Sequence, residues 1–323
     1  MATPQLIGLD WGTTSLRAYR FDGSGQVVES RQQRAGILQI AGEGAQGRHE
    51  GFERALDAAC GDWISADPTC PLLACGMIGS AQGWREAPYV EVPASVDAPG
   101  HALTRVATAR GTLHIVPGLI ARGPLPEVMR GEETQVAGVV EPGSGPADAW
   151  IGLPGTHAKW VRVRDRRVIG FHTFMTGEVF AALCAHTILG RTMRPGAAPD
   201  DVQRAFDRGA RVARSPDGRL GVLSTMFSAR TLGLVGELAG EAQADYLSGL
   251  LIGYEVAALG ELGEPGEPIV LVGDAALCER YRRALAASGH AAVAIAAGAT
   301  ERGLWRIAVA AGLVAGAASS SAM

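Results

Sequence analysis

Alternating apolar and polar positions between residues 7 and 30 predict three short strands joined by two polar turns. The stretch "IGLDWGTTSLRAYRF" opens as an apolar strand, gives way to small polar residues at 12–14, and resumes with strict alternation from Leu16 to Tyr19. A second polar turn, Asp22 to Gly25, leads into the third strand. This alternation is what a sheet covered on one face requires.

The same pattern recurs about half the chain later, from Ile151. "IGLPGTHAKWVRVRDRRVIGFH" also begins Ile-Gly-Leu, reaches Gly-Thr within a few residues, continues as an alternating strand and turns at residues 164–167. Gly12-Thr13 therefore corresponds to Gly155-Thr156 after a gap of one residue. Two copies of this strand–turn–strand pattern, about half the chain apart, predict a duplicated α/β domain. The alternative is a coincidence between two common β-hairpins.

Helical spacing of apolar residues predicts helices after each copy, interleaved with further strands, which is typical of α/β layers. One predicted helix ends on Gly190 as its C-cap, and another starts on the N-cap acids Asp200 and Asp201. The predicted helices are Gly51 to Ile64, 177–190, 200–213, 243–262, 275–289 and Glu301 to about Val314, with strands at 269–274 and 290–297 and a frayed Ala/Ser tail.

Length and turn residues predict two domains. The chain has 323 residues, and the Gly/Pro-rich stretch "VVEPGSGPADAW" is a natural boundary near residue 145. We expect an N-terminal domain over 1–145, a C-terminal domain over 146–299, and a C-terminal helix at 300–316 that completes the first domain.

Composition narrows the functional classes. Hydrophobic residues make up 47% of the chain, charged residues 19%, and the formal net charge is −4, so no basic footprint for nucleic acid is expected. The five cysteines form no CxxC pair, which favours reduced thiols in a cytoplasmic protein. No secretory signal is expected, and the apolar stretch after Gly303 is too short for a membrane span. A homodimer is among the oligomeric states left open.

The two Gly-Thr turns are the first candidates for chemistry. Their backbone N–H groups and hydroxyls suit phosphate oxygens, and two of them could hold a polyphosphate from both sides. Asp10, directly before the first turn, could hold Mg²⁺ directly or through water, because this cation prefers carboxylate oxygen. A plain hairpin turn is the alternative. The predicted phosphate-binding residues are Gly12, Thr13, Thr14, Gly155, Thr156 and His157.

A pair of acids in "MRGEETQ" is the candidate for proton transfer. Phosphoryl transfer to an alcohol benefits from a carboxylate that accepts the hydroxyl proton. Acids at a helix start also stabilise the helix dipole, so one of Glu132 and Glu133 can be structural. The residues alone leave open which one is the base.

Further candidates concern the nucleoside and the sugar. Gly273 and Asp274 follow a buried strand where a nucleoside could lie, although Asp274 could equally be a helix N-cap. Arg17 and Arg230 could hold a substrate carboxylate or form ordinary ion pairs. The remaining candidates for the substrate site are Gly76, Gly79, Ser80, Gln82, Trp84 and Glu178. Zinc-ligand spacings, the GxSxG elbow and the Walker loop do not occur in the sequence.

The chain closely resembles the 2-dehydro-3-deoxygalactonokinase family of the sugar kinase/Hsp70/actin superfamily. The motifs that carry the resemblance run from residue 7 to beyond 290, and "MRGEETQ" and "PGTHAKW" are specific to this family. The full set of matching segments is "GLDWGTTSLRAYRF", "ACGMIGSAQGW" with "APY", "IVPGL", "VMRGEETQ", "LPGTHAKWV", "FMTGE" and "YLSGLLIGYEVA".

The resemblance implies two actin-like (ribonuclease H-like) domains with the active site in a central cleft that closes on the substrate. It implies transfer of the γ-phosphate of ATP, with Mg²⁺, to the 6-hydroxyl of 2-dehydro-3-deoxy-D-galactonate in galactonate catabolism. Lys159 would neutralise the transferring phosphate or lie outward as a surface lysine. Where the superfamily often has a second acid, this chain has Leu153-Pro154, so Asp10 is expected to be the sole metal-organising acid.

One observation keeps other functions open. A glutamate-bearing segment between the turns also resembles exopolyphosphatases of the superfamily, in which such a glutamate acts as the base. The alternatives are therefore a kinase for a related 2-keto-3-deoxy sugar acid, a polyphosphate or nucleotide phosphatase, and a non-catalytic nucleotide switch. The stereochemical preference at the sugar does not follow from the sequence.

Overall fold

The structure is a computed structural model that describes residues 5–40, 44–140, 145–262 and 266–315. Its contacts divide the chain into two compact units. The first unit comprises Met1–Ala147, Arg162–Phe171 and Gly298–Met323, and the second comprises Asp148–Val161 and His172–Ala297. Part of the predicted linker near residue 145 and the Ala/Ser tail lie outside the described residues.

The elements follow the predicted alternation of strands and helices. The strands are β1 (Leu6–Trp11), β2 (Leu16–Phe21), β3 (Val27–Gln33), β4 (Leu72–Gly76), β5 (Val90–Glu91), β6 (Ala94–Ser95), β7 (Thr104–Thr108), β8 (Gly111–Ile115), β9 (Leu119–Ala121), β10 (Glu127–Met129), β11 (Ala149–Leu153), β12 (Ala158–Arg164), β13 (Arg167–Phe174), β14 (Ile269–Val272) and β15 (Val293–Ala296). The helices are α1 (Gly44–Ala66), α2 (Glu132–Val139), α3 (Thr176–His186), α4 (Pro199–Val212), α5 (Val222–Thr225), α6 (Ser228–Leu234), α7 (Gln243–Leu262), α8 (Ala275–Ala287) and α9 (Ala299–Ala310).

Both six-stranded sheets are built around the repeated three-strand meander. One has the order β3-β2-β1-β4-β8-β7 and the other β15-β14-β11-β12-β13-β6, with a small sheet β10-β9-β5 besides. In the first sheet β2 is antiparallel to β1 and β3, whereas β1, β4 and β8 are parallel. In the second, β11, β14 and β15 are parallel in the same way. This order confirms the predicted actin-like (ribonuclease H-like) α/β fold.

The recurring Ile-Gly-Leu has a packing reason in both copies. A Cβ placed on Gly8 would lie 2.8 Å from the Phe21 ring and 3.0 Å from Leu304. A Cβ placed on Gly152 would lie 2.7 Å from the Trp160 ring. In each copy the glycine leaves room for an aromatic side chain from the neighbouring strand, so a larger residue would force the close-packed core to shift.

Some predicted helix ends are wrong. Helix α3 ends at His186 because Thr187 is extended, and Gly190 instead opens a short 3₁₀ turn. Helix α4 begins at Pro199 with Ala198 as its N-cap, since proline suits the first helical position. The two acids predicted as caps therefore lie in the first turn, where their charges still favour the helix dipole.

The other predicted helices overlap observed ones, all but α7 with different ends, and α1 begins at Gly44, seven residues before the predicted Gly51. Helix α7 spans the predicted 243–262, helix α8 ends two residues before Gly289, and α9 covers Ala299–Ala310. In the part of the chain that the structure describes, no helix is both long enough and apolar enough to cross a membrane.

Helix α9 docks onto α2 through glycines on both helices. A Cβ on Gly138 would lie 1.9 Å from the carbonyl oxygen of Ala299, and a Cβ on Gly303 would lie 1.8 Å from that of Thr134. The Gln135 amide also donates to the Thr300 hydroxyl at 3.2 Å. The last helix of the chain thereby fixes the helix that carries both candidate base residues.

Candidate active site

Asp10 lies near the C-terminal end of β1, in register with Arg17 on β2 and Cys75 on β4. Arg17 Nη1 donates to Asp10 Oδ2 at 3.2 Å, and the Asp10 side chain retains 23% exposure. Burial raises the pKa of the Asp10 carboxyl, and the Arg17 charge opposes that rise. Asp10 is thus a partly exposed carboxylate with a single paired cation.

The first Gly-Thr turn projects from the end of β1 and is braced by residues 36–38. The N–H of Gly12 donates to the Ser15 carbonyl at 2.9 Å, and the carbonyls of residues 12 and 13 accept from Ile37 and Leu38. Thr13 and Thr14 are exposed, and their N–H groups meet no acceptor among the described residues. The turn offers unused backbone donors beside Asp10, which suits an anion.

Two glycines with positive φ bring the start of α2 to this strand end. Gly76 ends β4 with φ +91°, and Gly131 precedes α2 with φ +106°. A Cβ on Gly76 would lie 2.8 Å from the Trp11 carbonyl oxygen, and one on Gly131 would lie 3.3 Å from the Gly76 Cα. Because the backbones touch here, the side chain of Glu132 lies close enough to raise the pKa of Asp10.

Glu132 and Glu133 lie in different environments. The backbone N–H of Arg130 donates to Glu132 Oε2 at 3.0 Å, and Glu132 is half-buried. Glu133 is 2% exposed, accepts from the Gly131 N–H at 2.6 Å and from the Thr134 hydroxyl at 3.0 Å. Burial, followed by the charge of Glu132, raises the pKa of Glu133 to about 8. Glu133 is therefore a neutral, enclosed carboxyl at neutral pH.

The glycine-rich loop after β4 is held by its own backbone. The Ser80 hydroxyl donates to the Met77 carbonyl at 2.8 Å, and Gln82 is exposed. Trp84 stacks on Phe52 at a centroid distance of 5.3 Å and donates through Nε1 to His49 at 2.9 Å. One face of the Trp84 indole is therefore covered by Phe52, and the hydrogen bond from its Nε1 to His49 holds the loop against α1.

Arg130 is a residue that the sequence analysis did not single out as a site residue. Its Nη2 donates to the Ala87 carbonyl at 2.8 Å, and its guanidinium lies 4.4 Å from the centroid of the Tyr89 ring. Nε and Nη1 are buried without a hydrogen-bond partner in the described structure, and Nη1 is directed at Gly79. The signal available in the sequence was its place in the motif "MRGEETQ", directly before Gly131.

The second Gly-Thr turn packs against the start of α3. A Cβ on Gly177 would lie 2.4 Å from the Gly155 carbonyl oxygen, and the Glu178 N–H donates to the Thr156 carbonyl at 3.0 Å. The Glu178 carboxylate is hydrogen-bonded to His157 Nε2. The structure thus places Glu178, a candidate for the substrate site, against the Gly-Thr turn of the second unit.

Lys159 lies beneath this turn. Lys159 is only 5% exposed, and its Nζ donates to the His157 carbonyl at 3.2 Å. The alternative of an ordinary surface lysine is therefore wrong. The ammonium group is held within the second unit, next to the turn that carries the predicted phosphate-binding residues.

Asp274 caps helix α8, as the structural alternative expected. Its Oδ1 accepts from the Leu277 N–H at 3.0 Å, while Gly273 has φ +148° and lies near the Pro154 carbonyl. Leu277 lines a cavity of about 240 Å³ that Gly155 also borders. Its other lining residues are Thr176, Gly177, Phe180, Asp245, Ser248, Leu251, Ile252, Arg280 and Tyr281.

A buried carboxylate supports this cavity and was not anticipated. Glu255 on α7 is 2% exposed and accepts hydrogen bonds from Trp160 Nε1 at 2.7 Å, the Tyr281 hydroxyl at 2.7 Å and the Thr176 hydroxyl. Burial raises its pKa, and these three donors oppose the rise. Two of the donors, Thr176 and Tyr281, line the cavity, so Glu255 fixes the wall from behind.

The two candidate carboxylate-binding arginines have partners of their own. Arg17 is paired with Asp10, as described above, and so belongs to the first Gly-Thr turn. Arg230, on α6, donates from Nη1 to the Ile188 carbonyl at 3.3 Å. The first unit therefore gathers Asp10 with its turn, the glycine-rich loop and the start of α2, whereas the second gathers its own turn, Lys159, Glu178 and the cavity.

Comparisons with known proteins agree on one family. The family model for 2-keto-3-deoxy-galactonokinase matches residues 10–307. The 2-dehydro-3-deoxygalactonokinase of Escherichia coli K12 is 34% identical over 296 residues, covering 91% of this chain and 94% of its own. A Rhizobium meliloti protein named probable 2-dehydro-3-deoxygalactonokinase is 36% identical over 285 residues, 87% of this chain and 89% of its own.

A solved structure shows the same similarity in three dimensions. The crystal structure of a protein from Sinorhizobium meliloti, provisionally named 2-dehydro-3-deoxygalactonokinase, has a TM-score of 0.77 and 34% identity, and the match covers 94% of this chain and 98% of that one. The chain belongs to the 2-keto-3-deoxy-galactonokinase family.

Proposed function

We propose that the protein is a sugar-acid kinase that transfers the γ-phosphoryl group of ATP to the 6-hydroxyl of 2-dehydro-3-deoxy-D-galactonate. The observation that carries this proposal is the family match over residues 10–307, together with 34% identity to the Escherichia coli enzyme over 91% of the chain. The product is the 6-phosphate, an intermediate in galactonate catabolism.

Glu132 is our candidate for the group that accepts the hydroxyl proton. It is half-buried, and it follows Gly131, whose backbone lies against Gly76 next to the end of β1. Glu133 is enclosed, and its pKa of about 8 keeps it protonated at neutral pH. A general base must be reachable and ionised. We therefore assign the proton transfer to Glu132 and the positioning of its backbone to Glu133.

Asp10 fits the role of a magnesium-organising acid. Mg²⁺ is commonly held through one or two carboxylates together with water and substrate phosphates, and Asp10 is a partly exposed carboxylate beside unused backbone donors. Among the described residues no group of three or more His, Cys, Asp or Glu side chains is arranged around a common point. Bound Mg²⁺ would neutralise charge on the phosphates.

The second unit supplies features that suit a nucleotide. Thr156 and His157 are exposed on the turn above the buried ammonium of Lys159, which favours phosphate oxygens. The adjoining cavity, bordered by Gly155, combines apolar walls with charged groups, as a nucleoside requires. We place the phosphates at the turn and the nucleoside in this cavity, near Gly273 and Asp274.

The glycine-rich loop of the first unit is the candidate sugar site. Gly76 ends β4 beside β1 and the start of α2, and Ser80 and Gln82 follow it as the half-buried and exposed polar residues of the loop. Arg130 joins Arg17 as a candidate for the substrate carboxylate, because its Nη1 lies against Gly79 without a partner in the described structure. A guanidinium fork matches a carboxylate in two hydrogen bonds.

A coupled ADP-release assay over a panel of 2-keto-3-deoxy sugar acids tests the proposal. We expect ADP release only with a sugar acid present, the galactonate-derived acid being preferred over its gluconate-derived epimer. ADP release without any sugar acid would indicate a phosphatase, and a preference for another sugar acid would reassign the substrate. A pocket that hydrogen-bonds one hydroxyl can separate two such epimers strongly.

A further inference from the structure

An unusually apolar stripe lies along the exposed side of α5 and α6 in the second unit. Met226 and Phe227, between the two helices, keep right-handed helical backbone, so residues 222–234 form nearly one helix. Spacings of four and seven residues place Leu223, Phe227 and Leu234 on one face of this helix, and Leu220 and Val235 flank it, one on the 3₁₀ turn before Gly221 and the other at the C-cap. The stripe, here called the 220–235 stripe, comprises Leu220 (71% exposed), Leu223 (80%), Phe227 (49%), Leu234 (64%) and Val235 (67%).

The opposite face of the same segment already packs against the protein. Val222, Met226, Ala229 and Leu232 belong to a core cluster with Leu250 of α7. The segment is therefore anchored without any help from the 220–235 stripe. A helix with a buried apolar face and a second, exposed apolar face is typical of an interaction surface rather than of ordinary scattered exposure.

The apolar surface continues past the stripe. Arg230 Nη1 donates to the Ile188 carbonyl at 3.3 Å, which places the end of the α3 segment beside α6. Ile188 is 47% exposed, and α3 contains no buried residue over its length from Thr176 to His186. The exposed patch therefore spans two segments of the second unit.

We propose that the 220–235 stripe is the interface between two copies of this chain. The stripe side chains with Ile188 offer on the order of 600 Å² of apolar surface, which approaches the roughly 800 Å² per partner of a specific interface once a polar rim is added. An apolar surface that pairs with itself about a two-fold axis meets a matching apolar surface. A second copy is the occupant that matches this area.

Charges at the two ends of the stripe favour a two-fold arrangement. Arg219 is exposed just before the stripe, and Glu237 lies just after it, 59% exposed while it binds Arg208. If a two-fold axis passes through Phe227, the helices of the two copies lie antiparallel across it. Arg219 of one copy then lies opposite Glu237 of the other. The apolar centre then has complementary charges at its rim.

Sedimentation velocity of the full chain over roughly 1 to 100 μM tests this interface. We expect a dimer, and we expect Leu223→Asp to raise its dissociation constant about 100-fold or more, because each substitution enters a two-fold interface twice. Leu125→Asp, at an 87% exposed leucine of the first unit, is the matched control and should leave the dimer intact. A cooperative unfolding transition of Leu223→Asp, at the melting temperature that the wild type shows when diluted to a monomer, shows that the variant folds.

Two outcomes would overturn the proposal. One is a wild-type protein that stays monomeric over the whole concentration range, and the other is a dimer whose dissociation constant is the same in Leu223→Asp. Arg219→Glu tests the antiparallel arrangement separately. We expect it to weaken the dimer roughly tenfold in low salt and less in high salt, and an unchanged dimer in low salt would contradict the two-fold pairing.

Discussion

The backbone N–H of Gly131 donates to Glu133 Oε2 across 2.6 Å, and this contact turns the Glu133 carboxyl away from solvent into the start of α2. Glu132, the neighbouring residue, stays half-buried beside Asp10. Two adjacent glutamates thereby acquire different tasks. Glu133 fixes the turn before the helix, and Glu132 is left to meet a substrate.

Replacing each glutamate by glutamine should separate these tasks. Glu132→Gln removes the proton acceptor, so we expect kcat to fall by about 10²- to 10⁴-fold with little change in the KM for ATP. Glu133→Gln can keep both hydrogen bonds, with its amide oxygen accepting from Gly131 and its amide nitrogen donating to Thr134, and should retain most of kcat. Steady-state kinetics of both purified variants provides the comparison, and a larger loss in Glu133→Gln would reverse the assignment.

Stability should depend on pH through Glu133. Its folded-state pKa of about 8 lies above the usual 4.5, so the folded protein holds a proton that the unfolded chain releases over this range. The stabilisation that the folded protein gains from this bound proton is fully present below about pH 4.5 and is lost as the pH rises through 8. Urea unfolding at about pH 5, 6.5 and 8 should show a free energy of unfolding that declines with pH in the wild type and declines less in Glu133→Gln. Equal slopes for the two proteins would contradict the assignment.

The Arg17–Asp10 pair should set the acid limb of the pH-rate profile. Arg17 is the cation that lowers the Asp10 pKa against the effect of burial. Arg17→Met should therefore raise that pKa further and move the acid limb of kcat/KM to higher pH. Asp10→Asn should instead abolish most activity and raise the Mg²⁺ concentration needed for half-maximal rate. Magnesium titrations and pH profiles of the two variants distinguish these effects, and an unmoved acid limb in Arg17→Met would count against Asp10.

The contact between α9 and α2 should make Gly303 sensitive to a single methyl group. Gly303→Ala would place Cβ 1.8 Å from the Thr134 carbonyl oxygen, so α2 must shift, at a cost of about 1–3 kcal/mol in the free energy of unfolding. Gly260 on α7 has no heavy atom within 4 Å of such a Cβ. Gly260→Ala is the matched control and should be neutral or stabilise by up to about 1 kcal/mol. Thermal and urea unfolding provide the measurement, and equal stability of the two variants would show that α9 does not pack this closely.

Periodicity was sufficient to predict much of the fold, because each meander pairs strands that are close in sequence. The match between β1 and β11 was visible in Ile-Gly-Leu, although the reason for the glycine, room for Phe21 or Trp160, required the packed sheet. Helix ends were less predictable. Pro199 and the extended Thr187 shift the ends of α4 and α3 from the positions that the caps suggested.

The sequence predicted which residue types form the candidate site, but it did not predict how buried each of them is or what surrounds it. Spacing could not show that Lys159 is buried or that Glu133 is enclosed, since both depend on what packs from distant segments. Glu255 looked like one more residue of an apolar helix until the donors from Trp160 and Tyr281 were placed around it. A carboxylate buried by long-range contacts leaves no local pattern in a sequence.

The measurement that tests the central claim most directly is a single-turnover reaction with γ-labelled ATP and 2-dehydro-3-deoxy-D-galactonate, followed by identification of the labelled product. We predict a label on the 6-oxygen of the sugar acid, formed in parallel with ADP and strongly reduced in Glu132→Gln. Label released as inorganic phosphate at the same rate with and without the sugar acid would contradict the kinase function.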